Sequence, residues 1–437
     1  MSAPSANAAA VASDHRHAVA ASFLGWTLDA FDYFLVVFAL GDIAKDFRVT
    51  RAEMAFAVSM TLYMRPVGAF IFGLVADRYG RRLPLIIDLI FFSVVEVVSG
   101  LAPNYWTFLI LRALFGIGMG GEWGVGASLA MEKAPKGARG VLSGLLQEGY
   151  ATGYLLAAVC YLFVFPHFGW RPMFFIGGLP ALLAVYVRVN VRESEVWERT
   201  KSESWSTLGR ALASHWKLFL YLFAMMTTMN FVSHGTQDFY PTFLKDYRGF
   251  TPQQASYIAM VYNVGAILGG LAMGYYSDRV GRRRAMVTSL ALAMAAIPLW
   301  AYAPTTSLLV LGAFALQFMV QGAWGVVPAH ITELAPDNVR GFMPGFAYQC
   351  GVAAAASIVY LQAVLADHFS FPATMALTAF IVFVLAAIVV AAGREHRGLE
   401  FGIVVPEGEA GRLEGWEAGR PGRLEGMKAG KKGRGAH

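Results

Sequence analysis

Apolar runs of about 20 residues recur along almost the whole chain. Twelve can be marked, at roughly 17–41, 53–76, 83–101, 104–130, 140–164, 171–190, 215–244, 253–276, 285–302, 306–331, 341–365 and 372–392. A run of that length crosses the hydrocarbon core of a bilayer as a helix, because a helix satisfies each backbone N–H and C=O within its own segment. The sequence therefore predicts an all-α integral membrane protein with 12 transmembrane helices. Composition agrees, with 57% hydrophobic and 15% charged residues, against about 25% charged in a soluble domain. The first run has no basic segment before it and contains Asp29 and Asp32. It is expected to be an uncleaved span and not a signal peptide.

The basic residues set the orientation. If alternate loops share a compartment, 27 of the 35 Lys and Arg fall on the side of the two termini, 6 on the other, and Arg65 and Arg112 lie within spans. The positive-inside rule then predicts cytoplasmic termini. The net charge of +6 follows from this orientation and calls for no nucleic-acid partner. Cys160 and Cys350 both lie in apolar runs, so the sequence indicates no disulfide framework and no cysteine metal site.

The chain repeats itself at an offset of 201 residues. Gly73-Leu-Val-Ala-Asp-Arg-Tyr-Gly-Arg-Arg82 returns as Gly274-Tyr-Tyr-Ser-Asp-Arg-Val-Gly-Arg-Arg283, and Glu132-Lys-Ala-Pro-Lys-Gly-Ala-Arg-Gly140 returns as Glu333-Leu-Ala-Pro-Asp-Asn-Val-Arg-Gly341. One register over separated motifs means two six-helix halves. The expected organisation is an N-terminal half over 1–191, a cytoplasmic linker over 192–214, a C-terminal half over 215–392 and a disordered Gly-, Arg-, Lys- and Glu-rich tail over 393–437.

The G-x-x-x-D-R-x-G-R-R loop between spans 2 and 3, repeated between spans 8 and 9, resembles that of the major facilitator superfamily. The resemblance implies two six-helix halves around a central cavity, a substrate site near the bilayer midplane and alternating access by rocking of the halves. Asp77, Arg78, Arg81 and their counterparts Asp278, Arg279 and Arg282 are candidates for conformational gating; positive-inside topology with helix packing is the other reading. Glu132 with Arg139, and Glu333 with Arg340, are expected to form further ion pairs at the cytoplasmic face, of little worth if solvated.

Ionisable groups inside spans are costly and usually functional. Arg65 sits near mid-depth in span 2, and its counterpart at 266 is Ala. A lone central guanidinium suits capture of a carboxylate, or else an internal pair with Asp29 or Asp32. Arg112 resembles the superfamily's span-4 arginine, which implies a part in proton coupling or in bracing the helix. The nearby glycines 116, 118, 120, 121 and 124 read as a close-packing surface and not as a phosphate loop. Glu122 and Glu148 read as structural pairs or as proton carriers. In span 1, Trp26, Asp29, Asp32 and Tyr33 share a helical face, and two close acids in an apolar helix are candidates for protonation.

Span 7 carries the densest polar stripe, with Asn230, Ser233, His234, Thr236, Gln237, Asp238 and Thr242. The 201-residue register sets Asn230 opposite Asp29 and His234 opposite Tyr33, so the two stripes are expected to face each other. Interhelical hydrogen bonding is the plainer reading of such groups. His234 and Asp238 are one turn apart, as metal ligands can be, but no third ligand is evident and no H-E-x-x-H occurs, so no metal is expected. The pattern N-x-x-S-H-x-T-Q-D-x-x-x-T is similar to the span-7 signature of the lactate/pyruvate:proton symporters within the sialate:proton symporter group. That resemblance implies uptake of a short monocarboxylate with a proton. The implied substrate-binding residues are Arg65, Asn230, His234, Gln237, Asp238 and Gln349, with Tyr33 opposite; Asp29, Asp32, Asp238, His234 and Arg112 are the implied coupling residues.

The chemistry agrees independently. Lactate or pyruvate offers one carboxylate and a neighbouring oxygen, which want one cation and several neutral hydrogen-bonding groups. A larger acid such as sialic, aromatic or dicarboxylic acid is the alternative substrate, and a carboxylate receptor that does not transport is an alternative function. No nucleophile elbow, cofactor motif or nucleotide-binding loop is present in the sequence, so neither an enzyme nor a bound cofactor is expected. The expected partners are a small organic acid, protons and the lipid bilayer of the cell (inner or plasma) membrane, with a monomer as the functional unit.

Overall fold

A computed structural model describes residues 6–202, 204–355, 357–366 and 368–402. The N-terminal half contains α1 (Ala6–Phe47), α2 (Arg51–Tyr79), α3 (Arg82–Gly100) and α4 (Tyr105–Lys133). Its fifth span is α5 (Arg139–Gln147) continued by α6 (Gly149–Phe168), and its sixth is α7 (Arg171–Ile176) with α8 (Pro180–Asn190). Two short helices, α9 (Glu195–Thr200) and α10 (Trp205–Ser214), make the linker. The C-terminal half follows with α11 (Trp216–Gln237), the single turn α12 (Tyr240–Thr242), α13 (Pro252–Val280), α14 (Arg282–Tyr302) and α15 (Thr306–Leu334). Its last two spans are α16 (Met343–Ala355) with α17 (Ile358–Ala366), and α18 (Phe371–Ala392).

Among the described residues, ten segments are long and apolar enough to cross a membrane. The remaining two of the expected twelve are α11, where the polar stripe dilutes the hydropathy, and the span that holds α16 and α17. Large apolar side chains such as Ile87 and Val94 on α3, Leu162 and Phe163 on α6, and Phe380 and Ile388 on α18 stand exposed on the outside. A surface of that kind is stable against lipid and not against water.

The 201-residue register is visible in the helix ends. Thr50 caps α2 through a capping box with Glu53, and Thr251 caps α13 through the same box with Gln254. Asn104 and Thr305 cap α4 and α15. Gly80 and Gly281, both at φ 105°, let the chain turn from α2 into α3 and from α13 into α14, a conformation open to glycine and strained for other residues. Close helix contact follows the glycines as well. A Cβ on Gly120 of α4 would lie 1.9 Å from the Arg65 carbonyl oxygen of α2, and one on Gly269 of α13 would lie 1.9 Å from that of Phe318 in α15.

Linker and tail are more ordered than their composition suggests. Glu193 accepts from the backbone N–H groups of Arg81 and Arg82 at 2.8 and 3.1 Å, capping α3. Glu395 does the same for Arg282 and Arg283 at 3.1 and 2.9 Å, capping α14. Phe401 lies over the guanidiniums of Arg139 and Arg340, at 3.7 and 3.8 Å from its ring centre. The expected disordered tail from 393 therefore needs correcting at its start: residues 394–401 are bonded to the helical body. The rest of that tail, 403–437, lies outside the described residues.

The matched caps give a stability test. Thr251→Ala removes the hydrogen bond that Thr251 Oγ1 accepts from the Gln254 N–H, leaving the one its backbone N–H donates to Gln254 Oε1, and is expected to cost about 1 kcal/mol. A small drop in thermal midpoint in detergent, with transport retained, is the predicted result. An unchanged midpoint would show that this bond contributes nothing to stability.

Candidate functional site

The two halves meet most tightly at the end that carries the repeated motif loops. Asp77, at the end of α2, accepts from the backbone N–H groups of Gly341 and Phe342 at 2.7 and 2.9 Å, just before α16. Asp278, at the end of α13, accepts from those of Gly140 and Val141 at 2.8 and 3.0 Å, in the first turn of α5. Each aspartate thus binds the amino end of a helix in the other half, where unpaired N–H groups and the helix dipole favour negative charge. Arg81 and Arg282 steady the aspartates at 2.6 and 2.7 Å.

Two buried glutamates complete this closure. Glu132 pairs with Arg81 at 3.1 Å and approaches Arg340 of the other half at 3.7 Å. Glu333 pairs with Arg282 at 3.0 Å and approaches Arg139 of the other half at 3.6 Å. The sequence pairing of Glu132 with Arg139 and Glu333 with Arg340 is corrected: the partners are exchanged, and each ion pair bridges the halves. Nor is the cluster solvated, since Glu132, Glu333, Arg139 and Arg340 are all buried. Burial works against the charge of Arg81, but Glu132 and Asp77 outweigh it and hold the guanidinium charged. Arg78 and Arg279 stand outside the network. Arg78 donates to the Ser202 carbonyl of the linker, and Arg279 meets the Tyr275 hydroxyl.

From this end the contact between halves continues inward through Phe70 against Phe342 and Phe346. It ends at an aromatic layer in which Trp123 meets Tyr348 at 4.4 Å between ring centres. Arg65 lies in that layer, buried, with its guanidinium 5.8 Å from the Trp26 ring and 5.9 Å from the Tyr348 ring. Its Nε and Nη2 have no hydrogen-bond partner. Arg65 acts electrostatically on Asp29, Tyr33, Tyr150 and Tyr348, and Asp238 of the other half acts on Tyr33, Tyr150 and Tyr262. These groups, drawn from both halves, form the polar cluster beyond the aromatic layer that is the candidate substrate chamber.

The span-7 stripe contributes unequally to it. His234 Nδ1 and Asp238 Oδ2 are 3.0 Å apart and each side chain is over one-third exposed. Gln237 is tied to Gln317 of α15 at 3.0 Å, the interhelical bond of the plainer reading. Asn230 donates to the Met226 carbonyl of its own helix at 2.7 Å. Gln349, fully buried in α16, has neither amide atom bonded. Among the described residues no group of three or more His, Cys, Asp or Glu could hold a metal ion.

Of the span-1 acids Asp29 and Asp32, Glu96 acts on both, Arg65 acts on Asp29, and Arg112 and Asp29 act on Asp32, which lies within the N-terminal half against Gly177. Arg112 donates to Glu96 at 2.6 Å and to Ser99 at 2.5 Å, so it braces α4 against α3. Sequence reading missed Glu96 and Asp88, both fully or almost fully buried in α3. Their signal was available, since both are acids inside an apolar run.

Comparison with known proteins places this geometry. Residues 22–251 and 237–420 match the model of the Major Facilitator Superfamily. A carboxylic acid transporter protein homolog of Saccharomyces cerevisiae is 28% identical over 79% of this chain, which spans 61% of that relative's length. The sialic acid transporter NanX of Escherichia coli is 29% identical over 77% of this chain and 84% of its own. Among solved structures, the proton:xylose symporter XylE bound to 6-bromo-6-deoxy-D-glucose superposes with a TM-score of 0.73 at 19% identity, covering 90% of this chain and 98% of that one. The shared fold is the 12-helix, two-half architecture.

The closure generates its own test. Glu132→Gln withdraws a charge that Arg81 and Arg340 share, and breaking a buried pair costs about 3–5 kcal/mol. The state with this end shut should lose population. A cysteine at Ser128, buried here against the Arg340 carbonyl, is expected to react with a soluble thiol reagent about tenfold or more faster when Glu132 is Gln. Equal rates would mean that the ion pair does not hold this end shut.

Proposed function

We propose that this chain, which belongs to the major facilitator superfamily, is a proton-coupled symporter of short monocarboxylates such as lactate and pyruvate. That it is a secondary transporter of the multi-pass membrane type, and not an enzyme, follows from the family itself.

The distribution of buried cations carries the substrate reading. A dicarboxylate would want two central cations. Arg112 is committed to Glu96 and Ser99, while Arg65 keeps two donor nitrogens unbonded. One available guanidinium suits one carboxylate. Gln349 and the hydroxyl of Tyr33 are the neutral partners for the neighbouring oxygen of lactate or pyruvate, and the His234–Asp238 pair borders the same chamber. Asn230 and Gln237, tied to their own helix and to α15, shape the wall of the site.

Charge balance supports proton coupling. Asp29, Asp32, Asp88, Glu96 and Glu122 are buried in the N-terminal half, where Arg65 and Arg112 are the arginines buried beside them. Arg112 neutralises Glu96, and ionising the other four carboxylates beside the one remaining guanidinium is too costly, which supports the reading that this half holds protons. A monocarboxylate that crosses with one proton adds no net charge to the membrane interior. Asp29 and Arg65 influence each other without an ion pair, an arrangement that suits a neutral Asp29 and a guanidinium free for substrate. Asp238 and His234 are the other proposed proton carriers. The distribution of basic loops supports a cytoplasmic position for the shut end and for both termini, the reading under which this is the outward-facing state of a protein of the cell inner or plasma membrane.

The aromatic layer favours a second reading. Trp26 stacks on Tyr150 at 5.5 Å, and flat rings of this kind also suit an aromatic monocarboxylate.

Labelled lactate in proteoliposomes with an imposed inward proton gradient is the test. Accumulation that collapses with a protonophore, and competition by pyruvate and acetate but not succinate, are expected. Stronger competition by benzoate would move the assignment to aromatic acids; absence of gradient-driven uptake would overturn the symport reading. Arg65→Gln should lower kcat/KM by about 10²-fold or more, since loss of one partner of a desolvated charge pair costs about 2–5 kcal/mol.

A further inference from the structure

The fifth span passes from α5 into α6 at one residue, and that residue is an acid. α5 ends at Gln147 and α6 begins at Gly149, with Glu148 between them at φ −71° and ψ −6°. Its side chain is almost fully buried, and Oε1 has no hydrogen-bond partner. It points across the boundary between the halves onto α13. A Cβ on Gly270 would lie 2.0 Å from this oxygen and 3.1 Å from Cδ.

The seam that Glu148 ends is otherwise backbone on backbone. A Cβ on Gly144 would lie 2.4 Å from the Gly270 carbonyl oxygen, and one on Gly140 would lie 2.2 Å from that of Gly274. Asp278 then closes its outer end on Gly140 and Val141. Such a seam tolerates little separation, and the cation at its outer end, Arg282, is taken by Asp278 and Glu333. Ionisable groups on the elements that meet here include Tyr262, Asp278 and Arg279 on α13, Arg282 at the outer end of the seam, His330 and Glu333 on α15, Asp29 and Asp32 on α1, Arg112 and Glu122 on α4, and Arg139, Tyr150 and Tyr154 along its own span. None of them acts on Glu148, which is perturbed by burial alone.

The repeat supplies an internal comparison. At the 201-residue offset the counterpart of Glu148 is Gln349, a neutral side chain of almost the same shape, fully buried in α16, the helix that packs on α2. One seam between the halves carries an amide at this position and the other a carboxyl. An ionised carboxylate without a partner is expensive there, while a protonated one is nearly equivalent to the amide.

We infer that Glu148 is a proton-coupling residue: the α5–α13 seam closes on its protonated carboxyl, and loss of that proton to water unseats α5 from α13. Proton release and opening of the motif-loop end are then one event. The O–H bond of Glu148 is the only bond broken, and water accepts the proton. The inference deepens the symport reading and rests on it for the use made of the proton.

The experiment measures the seam itself. Spin labels at Gly137→Cys and Tyr276→Cys, in full-length protein with Cys160 and Cys350 replaced by Ala, report the separation of the halves in nanodiscs. In the parent, the ratio of short to long distances is expected to fall as pH rises, by up to about tenfold per pH unit for one coupled proton. Glu148→Gln should hold the short distance from about pH 5 to pH 9, and Gly270→Ala, which puts a Cβ on Oε1, should give the long distance throughout. A parent ratio that ignores pH, or a Glu148→Gln protein that follows the parent, overturns the inference. Lactate uptake by the parent separates this from the symport reading. A pH-dependent seam abolished by Glu148→Gln, without gradient-driven uptake, sinks symport alone; gradient-driven uptake with an unaltered Glu148→Gln seam sinks the role of Glu148 alone.

Discussion

Two carboxylates hold the halves together, and the rest of the structure depends on them. Asp77 and Asp278 each accept two backbone N–H groups from the opposite half. Backbone amides cannot be lost by side-chain motion, so these contacts fix helix against helix and not merely side chain against side chain. They also satisfy donors that a helix start leaves unpaired. Arg81 and Arg282 neutralise the aspartates and reach on to Glu132 and Glu333, which approach Arg340 and Arg139 across the boundary. With this end fixed, the aromatic layer at Trp123 and Tyr348 follows directly above it.

Much of this was legible in the sequence, because repetition is a strong signal. The 201-residue register located both halves, both aspartates and both glutamates, and it reappears in the paired capping boxes at Thr50 and Thr251. What the register could not give was which half each partner reaches. Glu132 and Arg139 are neighbours in sequence, so a local pair was the natural reading; exchange with Glu333 and Arg340 is a tertiary fact. Asp29 and Asp32, three residues and so about 60° apart around the helix, stay within each other's influence, as their spacing suggests.

The stripe in span 7 shows how far residue type alone can be pushed. Its polar groups share a face, as the periodicity requires, but three different fates await them. Gln237 binds a neighbouring helix, Asn230 binds its own, and His234 with Asp238 remains at the chamber. Hydrogen-bonding capacity is the same kind of property in each; what differs is which acceptor lies within about 3 Å, and sequence does not encode that distance locally. Arg65 was easier to place, since a guanidinium at mid-depth has few affordable surroundings, and two aromatic rings on either side are among them.

Phe401 touches Arg139 of one half and Arg340 of the other with a single ring. Any motion that parts those arginines must take the ring from at least one of them, so the short peptide after α18 reports on the closure without being part of either half's helices.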